Sequence, residues 1–163
     1  MLGRLVGPTP DLEDLVQVTF LEAMRSFAAY RGEASVASWL TRIAVHVACH
    51  HLRRGMRRTV PLELIPARDE PRAPRPSPEA ELDVARTTAR LHQLLDRIKP
   101  KKRVAFLLYA VEGYSVEEVA ALTGASQTAV KSRLFFARRE LQALVKADPA
   151  LAERARALLG GVP

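Results

Sequence analysis

The sequence predicts an all-α protein made of two small helical lobes joined by a proline-rich linker. Three observations predict it. Apolar residues recur at helical spacing along most of the chain, and no alternating run is long enough to read as a strand. Pro61, Pro66, Pro71, Pro74, Pro76 and Pro78 break that pattern in the middle. Further on, two helical segments meet at a short glycine-containing turn, and the second of them is basic.

The elements follow in order. Met1–Pro8 is too short and too broken for a signal peptide, and it reads as a stub. Thr9 and Pro10 form an N-cap and first-turn pair. Leu12, Leu15, Val16, Thr19, Phe20, Ala23, Met24 and Phe27 then repeat as one apolar helical pattern, which Tyr30-Arg31-Gly32-Glu33 ends. Ser35 caps a second helix with Val36, Trp39, Leu40, Ile43, Val47 and Leu52 on one face, finishing in Arg53-Arg54-Gly55-Met56-Arg57-Arg58. These make a first lobe, 1–58. The linker, 59–78, has few large apolar residues, so it reads as a partly extended tether, and the lobes are expected to move independently. A second lobe, 79–147, begins with a helix from Ser77-Pro78 to about Ile98. Another follows from Pro100 to the stop at Gly113. Asp148-Pro149 opens a C-terminal tail, 148–163, with a last helix ending at Gly160-Gly161.

The glycine-turn segment runs from Tyr114 to Leu134. Ser115 and Glu118 have the spacing of a capping box, Gly124 suits a left-handed helix end, and Ser126 caps the second helix. Val130, Leu134, Leu141 and Val145 form its apolar stripe, from which Lys131, Ser132, Phe135, Arg138 and Arg139 fall away. No acid interrupts Ser126–Arg139. This is the layout of a helix-turn-helix whose second helix enters the DNA major groove, rather than of an amphipathic helix with a merely solvated basic face.

Composition agrees. The formal net charge is +7 and arginine far outnumbers lysine, which favours a polyanionic partner. Hydrophobic residues make up 48%, enough for a core. No apolar run is long enough to cross a membrane, and Cys49 is the only cysteine, so no internal disulfide forms and a cytoplasmic location is expected. No catalytic set appears: Ser115 is a cap and not a nucleophile, and there is no glycine-rich phosphate loop or cofactor motif. His46, Cys49 and His50 share one helical face, but no fourth ligand is evident, so no metal site is expected.

The stretch Asp11-Leu12-Glu13-Asp14-Leu15-Val16-Gln17-Val18-Thr19-Phe20-Leu21-Glu22-Ala23, then Trp39-Leu40-Thr41-Arg42-Ile43-Ala44 and the arginine-rich end, resembles region two of bacterial sigma factors. The resemblance is to the extracytoplasmic-function group of the sigma-70 family. Leu94–Val145 resembles region four, with Val130–Leu134 and Ala137–Leu141 as close matches. The resemblance implies a protein that binds core RNA polymerase, directs it to promoters and helps open the duplex, under an anti-sigma partner. It implies polymerase docking through Glu13, Asp14, Gln17 and Leu21. It implies capture of the minus-ten single strand through Tyr30, Arg31, Trp39, Arg42, His46, Arg53 and Arg54, with Tyr30–Ala34 as the loop for a flipped base. It implies reading of minus-thirty-five duplex through Gln127, Thr128, Lys131, Ser132, Arg133, Phe135, Arg138 and Arg139. Trp39, on the apolar stripe of its helix, also reads as a core residue.

Three departures qualify the resemblance. Only the stub precedes Asp11, where the family has another helix or two, so the first part of region two is expected to be absent. His46 and His50 stand where Asn and often Asp are usual, which implies a different minus-ten preference. Ala129 replaces a common Thr, with Thr128 one place earlier. Two other functions fit the same residues: a helix-turn-helix regulator acting without polymerase, and a truncated sigma-like protein that binds polymerase or an anti-sigma partner without opening promoters.

Overall fold

The computed structural model of the chain describes residues 1–55 and 78–152, with side chains from 84 onward in the second stretch. Most of the linker, and the tail beyond 152, lie outside the described residues. Among these residues there are seven α-helices and no strand: α1 Leu2–Val6, α2 Leu12–Ser26, α3 Val36–Gly55, α4 Pro78–Asp96, α5 Pro100–Ala110, α6 Val116–Thr123 and α7 Gln127–Ala147. A 3-10 turn, Phe27–Ala29, follows α2.

In the first lobe α2 and α3 pack along their lengths. Only Leu15, Thr19 and Ala23 of α2 are buried, and the Thr19 hydroxyl is satisfied by donating to the Leu15 carbonyl at 2.7 Å. Val16, Phe20, Met24 and Phe27, read from sequence as part of one apolar pattern, are exposed. They lie on a flank roughly a quarter turn or more from the buried stripe, and periodicity alone gives a stripe no width. Asp11 is the N-cap of α2 and makes no side-chain cap bond, while the Thr9 hydroxyl accepts from the Asp11 amide at 3.3 Å. Ser35 holds the start of α3, its hydroxyl accepting from the Ser38 amide at 3.1 Å.

In the second lobe α5 is the central helix. Val104, Ala105, Leu107 and Leu108 are buried under α6 and α7, which supply Val119, Leu122, Val130 and Leu134. α4 lies across α5 and α7, and Arg90 pairs with Asp148 at 2.6 Å where α7 ends. Asp148 also caps the turn that follows, accepting from the Leu151 amide at 3.2 Å.

The lobes do not stand free of each other, contrary to the sequence expectation. One core contains Leu5, Val6, Leu15, Val45 and Ala48 from the first lobe together with Leu95, Ile98, Val104, Leu108 and Val119 from the second. α3 rests on α5 and α6, and α1 rests on α3 and α5. The stub is therefore a short helix with Leu5 fully buried. Five residues carry no readable period, so its burial is a tertiary effect.

His92 of α4 lies at this junction, and its Nδ1 is buried without a hydrogen-bond partner. Burial lowers its pKa, the Arg103 charge on α5 lowers it further, and Asp96 on its own helix opposes. The folded form thus favours neutral imidazole. Its contribution to stability is complete above the ordinary value of about 6.5 and is lost as pH falls through the depressed folded value. The expected result is a thermal midpoint that drops on acidification below neutral pH, and a flatter profile for His92→Leu. Parallel profiles would contradict it.

Candidate nucleic-acid interface

The helix-turn-helix is held by the caps its sequence supplies. The Ser115 hydroxyl accepts from the Glu118 amide at 3.2 Å, and the Glu118 carboxylate accepts from the Ser115 amide at 2.8 Å. That bonding holds the Glu118 carboxyl below the usual range. Gly124 closes α6 at φ 60°, and the Ser126 hydroxyl accepts from the Ala129 amide at 3.2 Å to start α7. With Val130, Leu134 and Ala137 buried, the opposite side of α7 is set. At 100° per residue, Gln127, Thr128, Lys131, Phe135, Arg138 and Arg139 fall on one outward ridge. All six are exposed.

The ridge borders a groove of about 400 Å³ between α5, α6 and α7, lined by Tyr109, Val116, Lys131, Phe135, Arg138 and Gln142 among others. The Arg138 guanidinium lies over the Tyr109 ring, 5.5 Å from its centroid, and that of Arg139 over the Phe135 ring at 5.6 Å. A cation over an aromatic face is attracted by the ring quadrupole, which steadies the charge where it stands. Tyr109 has no counterpart in the sequence expectation. It lies on another helix, and no local signal pairs it with Arg138.

The other two anticipated duplex-reading residues differ, and only Arg133 leaves the ridge. Ser132 is exposed beside the ridge. Arg133 is half-buried on the other flank, where its charge acts on the Cys49 thiol of α3 together with Arg53 and Lys101. Burial nonetheless raises the Cys49 pKa, so this thiol is not activated.

The first lobe presents a second surface. Phe27, Tyr30 and Trp39 form an aromatic cluster, with centroids 5.1 Å apart for Tyr30–Trp39 and 6.2 Å for the pairs with Phe27. The Tyr30 hydroxyl donates to the Ala34 carbonyl and closes the loop that carries exposed Arg31. Trp39 is half-buried, so it is neither wholly core nor a free platform. Arg42, His46 and Arg53 continue outward along α3 from Trp39, all exposed. At the C-terminal end of α3, His46, His50, His51, Arg53 and Arg54 line a cleft of about 540 Å³ against Asp11, Val18 and Glu22 of the α2 side. Phe27 and His51 were not among the expected site residues, and His50 was read only as a departure in the strand-reading helix. Phe27 was hidden in the apolar pattern, and only the fold brings it to Trp39. Among the described residues no group of three or more His, Cys, Asp or Glu is placed to hold a metal ion.

On α2, Glu13, Asp14, Gln17 and Leu21 are all exposed, and Asp14, Gln17 and Leu21 lie opposite the buried Leu15–Thr19 side. A polar face of this kind remains open to a partner.

Two helical lobes, one with an aromatic and basic face and one with a capped helix-turn-helix, have the architecture of the sigma class. Residues 1–58 match the Sigma-70 region 2 family and residues 88–141 match Sigma-70, region 4. The chain is 35% identical over 141 residues to the ECF RNA polymerase sigma factor SigE of Mycolicibacterium smegmatis, covering 85% of this chain and 53% of that protein. It is 32% identical over 147 residues to the ECF sigma factor SigM of Mycobacterium tuberculosis, covering 88% and 69%. The chain thus spans about half to two thirds of the length of these relatives. Two solved structures share the fold. The sigma factor RpoE of Bartonella quintana, in complex with the anti-sigma factor NepR, matches at TM-score 0.61 and 26% identity, over 90% of this chain and 88% of that one. CnrH, in complex with the cytosolic domain of CnrY, matches at TM-score 0.60 and 28% identity, over 90% and 79%. The chain belongs to the extracytoplasmic-function sigma factors of the sigma-70 family.

Proposed function

We propose that the chain is a promoter-specificity subunit: it binds core RNA polymerase, directs it to promoters and helps open them, without carrying out a reaction of its own. The observation that carries this is the pairing, in family order, of an aromatic and basic face on α3 with a capped, acid-free ridge on α7. Single strands are held by basic grooves and aromatic faces, and a flipped base costs a few kcal/mol that such a pocket offsets. Tyr30, Arg31, Trp39, Arg42, His46 and Arg53, with Arg54 at the end of α3, take the minus-ten strand. The α7 ridge takes the minus-thirty-five duplex, and the exposed face of α2 meets polymerase. An anti-sigma protein is the expected regulator, and the site of action is the cytoplasm. No helix among the described residues is long and apolar enough to cross a membrane.

Run-off transcription with core polymerase on a promoter library tests the proposal. Promoter-dependent transcripts that require this chain support it. A chain that binds DNA but does not co-purify with core polymerase would instead be a regulator acting alone.

The α2 assignment has its own check. Asp14→Ala with Gln17→Ala is expected to weaken core polymerase binding about tenfold or more, the scale of one good interface anchor. Both side chains are exposed, so helicity and thermal midpoint should not change. Unchanged affinity in the double variant would move the docking face elsewhere.

A further inference from the structure

Arg103 is the only buried charged side chain among the described residues, 2% exposed, and its partners come from the other lobe as well as its own. Its Nε donates to the Leu5 carbonyl at 3.1 Å, its Nη2 to the Val6 carbonyl at 2.9 Å, and its Nη1 to the Asp96 carboxylate. Leu5 and Val6 are the last residues of α1, where carbonyls have no partner inside the helix and a cation is favoured. Just before them, Arg4 grips Glu112, two residues past the end of α5, with two bonds, 2.6 and 3.0 Å. That pairing holds the Glu112 carboxyl below its usual range. Gly7 follows α1 at φ +81°, and a Cβ there would stand 2.9 Å from His92 Nδ1 and 3.2 Å from Arg103 Nη2. Only glycine lets the backbone come this close.

The second lobe thus carries a socket that fits a helix end. It has a guanidinium for the last carbonyls, an acid for the basic residue just before them, and apolar neighbours around Leu5 and Val6. We propose that α1 is a latch, received by the α4–α5 socket around Arg103, and that the docked latch holds the lobes in a closed resting form which must release before the chain engages a whole promoter. The need for release rests on the promoter function proposed above. Elements centred ten and thirty-five base pairs upstream lie about 25 base pairs apart, or about 85 Å at about 3.4 Å per pair. A compact body of this chain length has a radius of gyration of about 15 Å. The closed form cannot put α3 on one element and α7 on the other. It also keeps the charge of Arg133, matched to the reading helix, within electrostatic reach of Cys49 on α3.

The test is a distance measurement on the full chain, by pulsed electron–electron resonance. Spin labels go on Met24→Cys in α2 and Lys146→Cys in α7, both exposed, in a Cys49→Ser background. The expected result is one short, narrow distance. Gly7→Val, by strain at φ +81° and a clash with His92, and Leu5→Asp, by placing a carboxylate in an apolar site, should raise the long-distance population about tenfold or more. Arg103→Lys keeps the charge but not the two-carbonyl geometry, and should shift it in the same direction by less. Circular dichroism separates opening from unfolding. If a buried variant loses helicity, the surface variant Arg4→Glu decides, because it sets like charges against each other at Glu112. A long, broad distribution in the starting protein overturns the latch. So does a short distance that persists in the helical variants. Adding core polymerase isolates the second claim. Variants that open but, with polymerase, bind a promoter no more tightly than the starting protein would leave the latch standing and overturn its link to promoter engagement.

Discussion

Leu108→Ala is expected to destabilise the whole chain by about 2–5 kcal/mol, the range for deleting a fully buried leucine. Leu108 is 0% exposed and sits in the core that both lobes share. The thermal midpoint should fall by about 2–4 °C for each kcal/mol in a chain of this size. Because the core is continuous, unfolding should remain a single transition that moves as a unit, with far-ultraviolet and tryptophan signals coincident. Trp39, in the first lobe, then reports a change made in α5. Met24→Ala is the control: at 75% exposed it should shift stability by no more than about 0.5 kcal/mol. Two separate transitions, with only the second lobe responding to Leu108→Ala, would mean that the seam between the lobes contributes little energy.

Alanine at Lys131 is expected to relax promoter preference, whereas alanine at Arg138 and Arg139 weakens binding on every sequence. Lys131 lies one turn into α7, near the helix start that reaches base edges in this motif. A good side-chain pairing with a base there contributes about 1–3 kcal/mol of discrimination, or roughly a 5- to 150-fold preference at one upstream position. Arg138 and Arg139 come two turns later on the same ridge, braced on Tyr109 and Phe135, where the helix leaves the groove and phosphates are near. Removing either phosphate-binding arginine should reduce the slope of log affinity against log salt by about one. The measurement is promoter binding by assembled polymerase, on variant upstream elements at several salt concentrations. Arg133→Ala makes a geometric contrast. At 100° per residue that side chain lies on the far side of α7 from Lys131, so it should change sequence preference less than Lys131→Ala does. If none of the four changes alters preference or salt slope, α7 does not read DNA, and the second lobe serves only to bind other proteins.

Sequence alone determined much of this protein, because some signals are local. Ser115 with Glu118, Gly124, and Ser126 find their partners within a few residues, so spacing was enough to place α6, the turn and α7. The buried Val130–Leu134 stripe was legible in the same way, and it set which side of α7 faces outward. The order of two recognisable lobes, one on each side of a proline-rich stretch, was equally readable. Tertiary structure decided what depends on partners distant in sequence. Periodicity assigned Val16, Phe20, Met24 and Phe27 to an apolar pattern but could not say that nothing among the described residues covers them. It could not turn Arg133 toward Cys49, bring Tyr109 beneath Arg138, or set Phe27 against Trp39. Above all it could not join the lobes. Arg103 looks like one more basic residue in a helix until its guanidinium meets carbonyls 97 and 98 positions earlier. A side chain's burial is a property of what arrives on top of it, and no window of neighbouring residues contains that information.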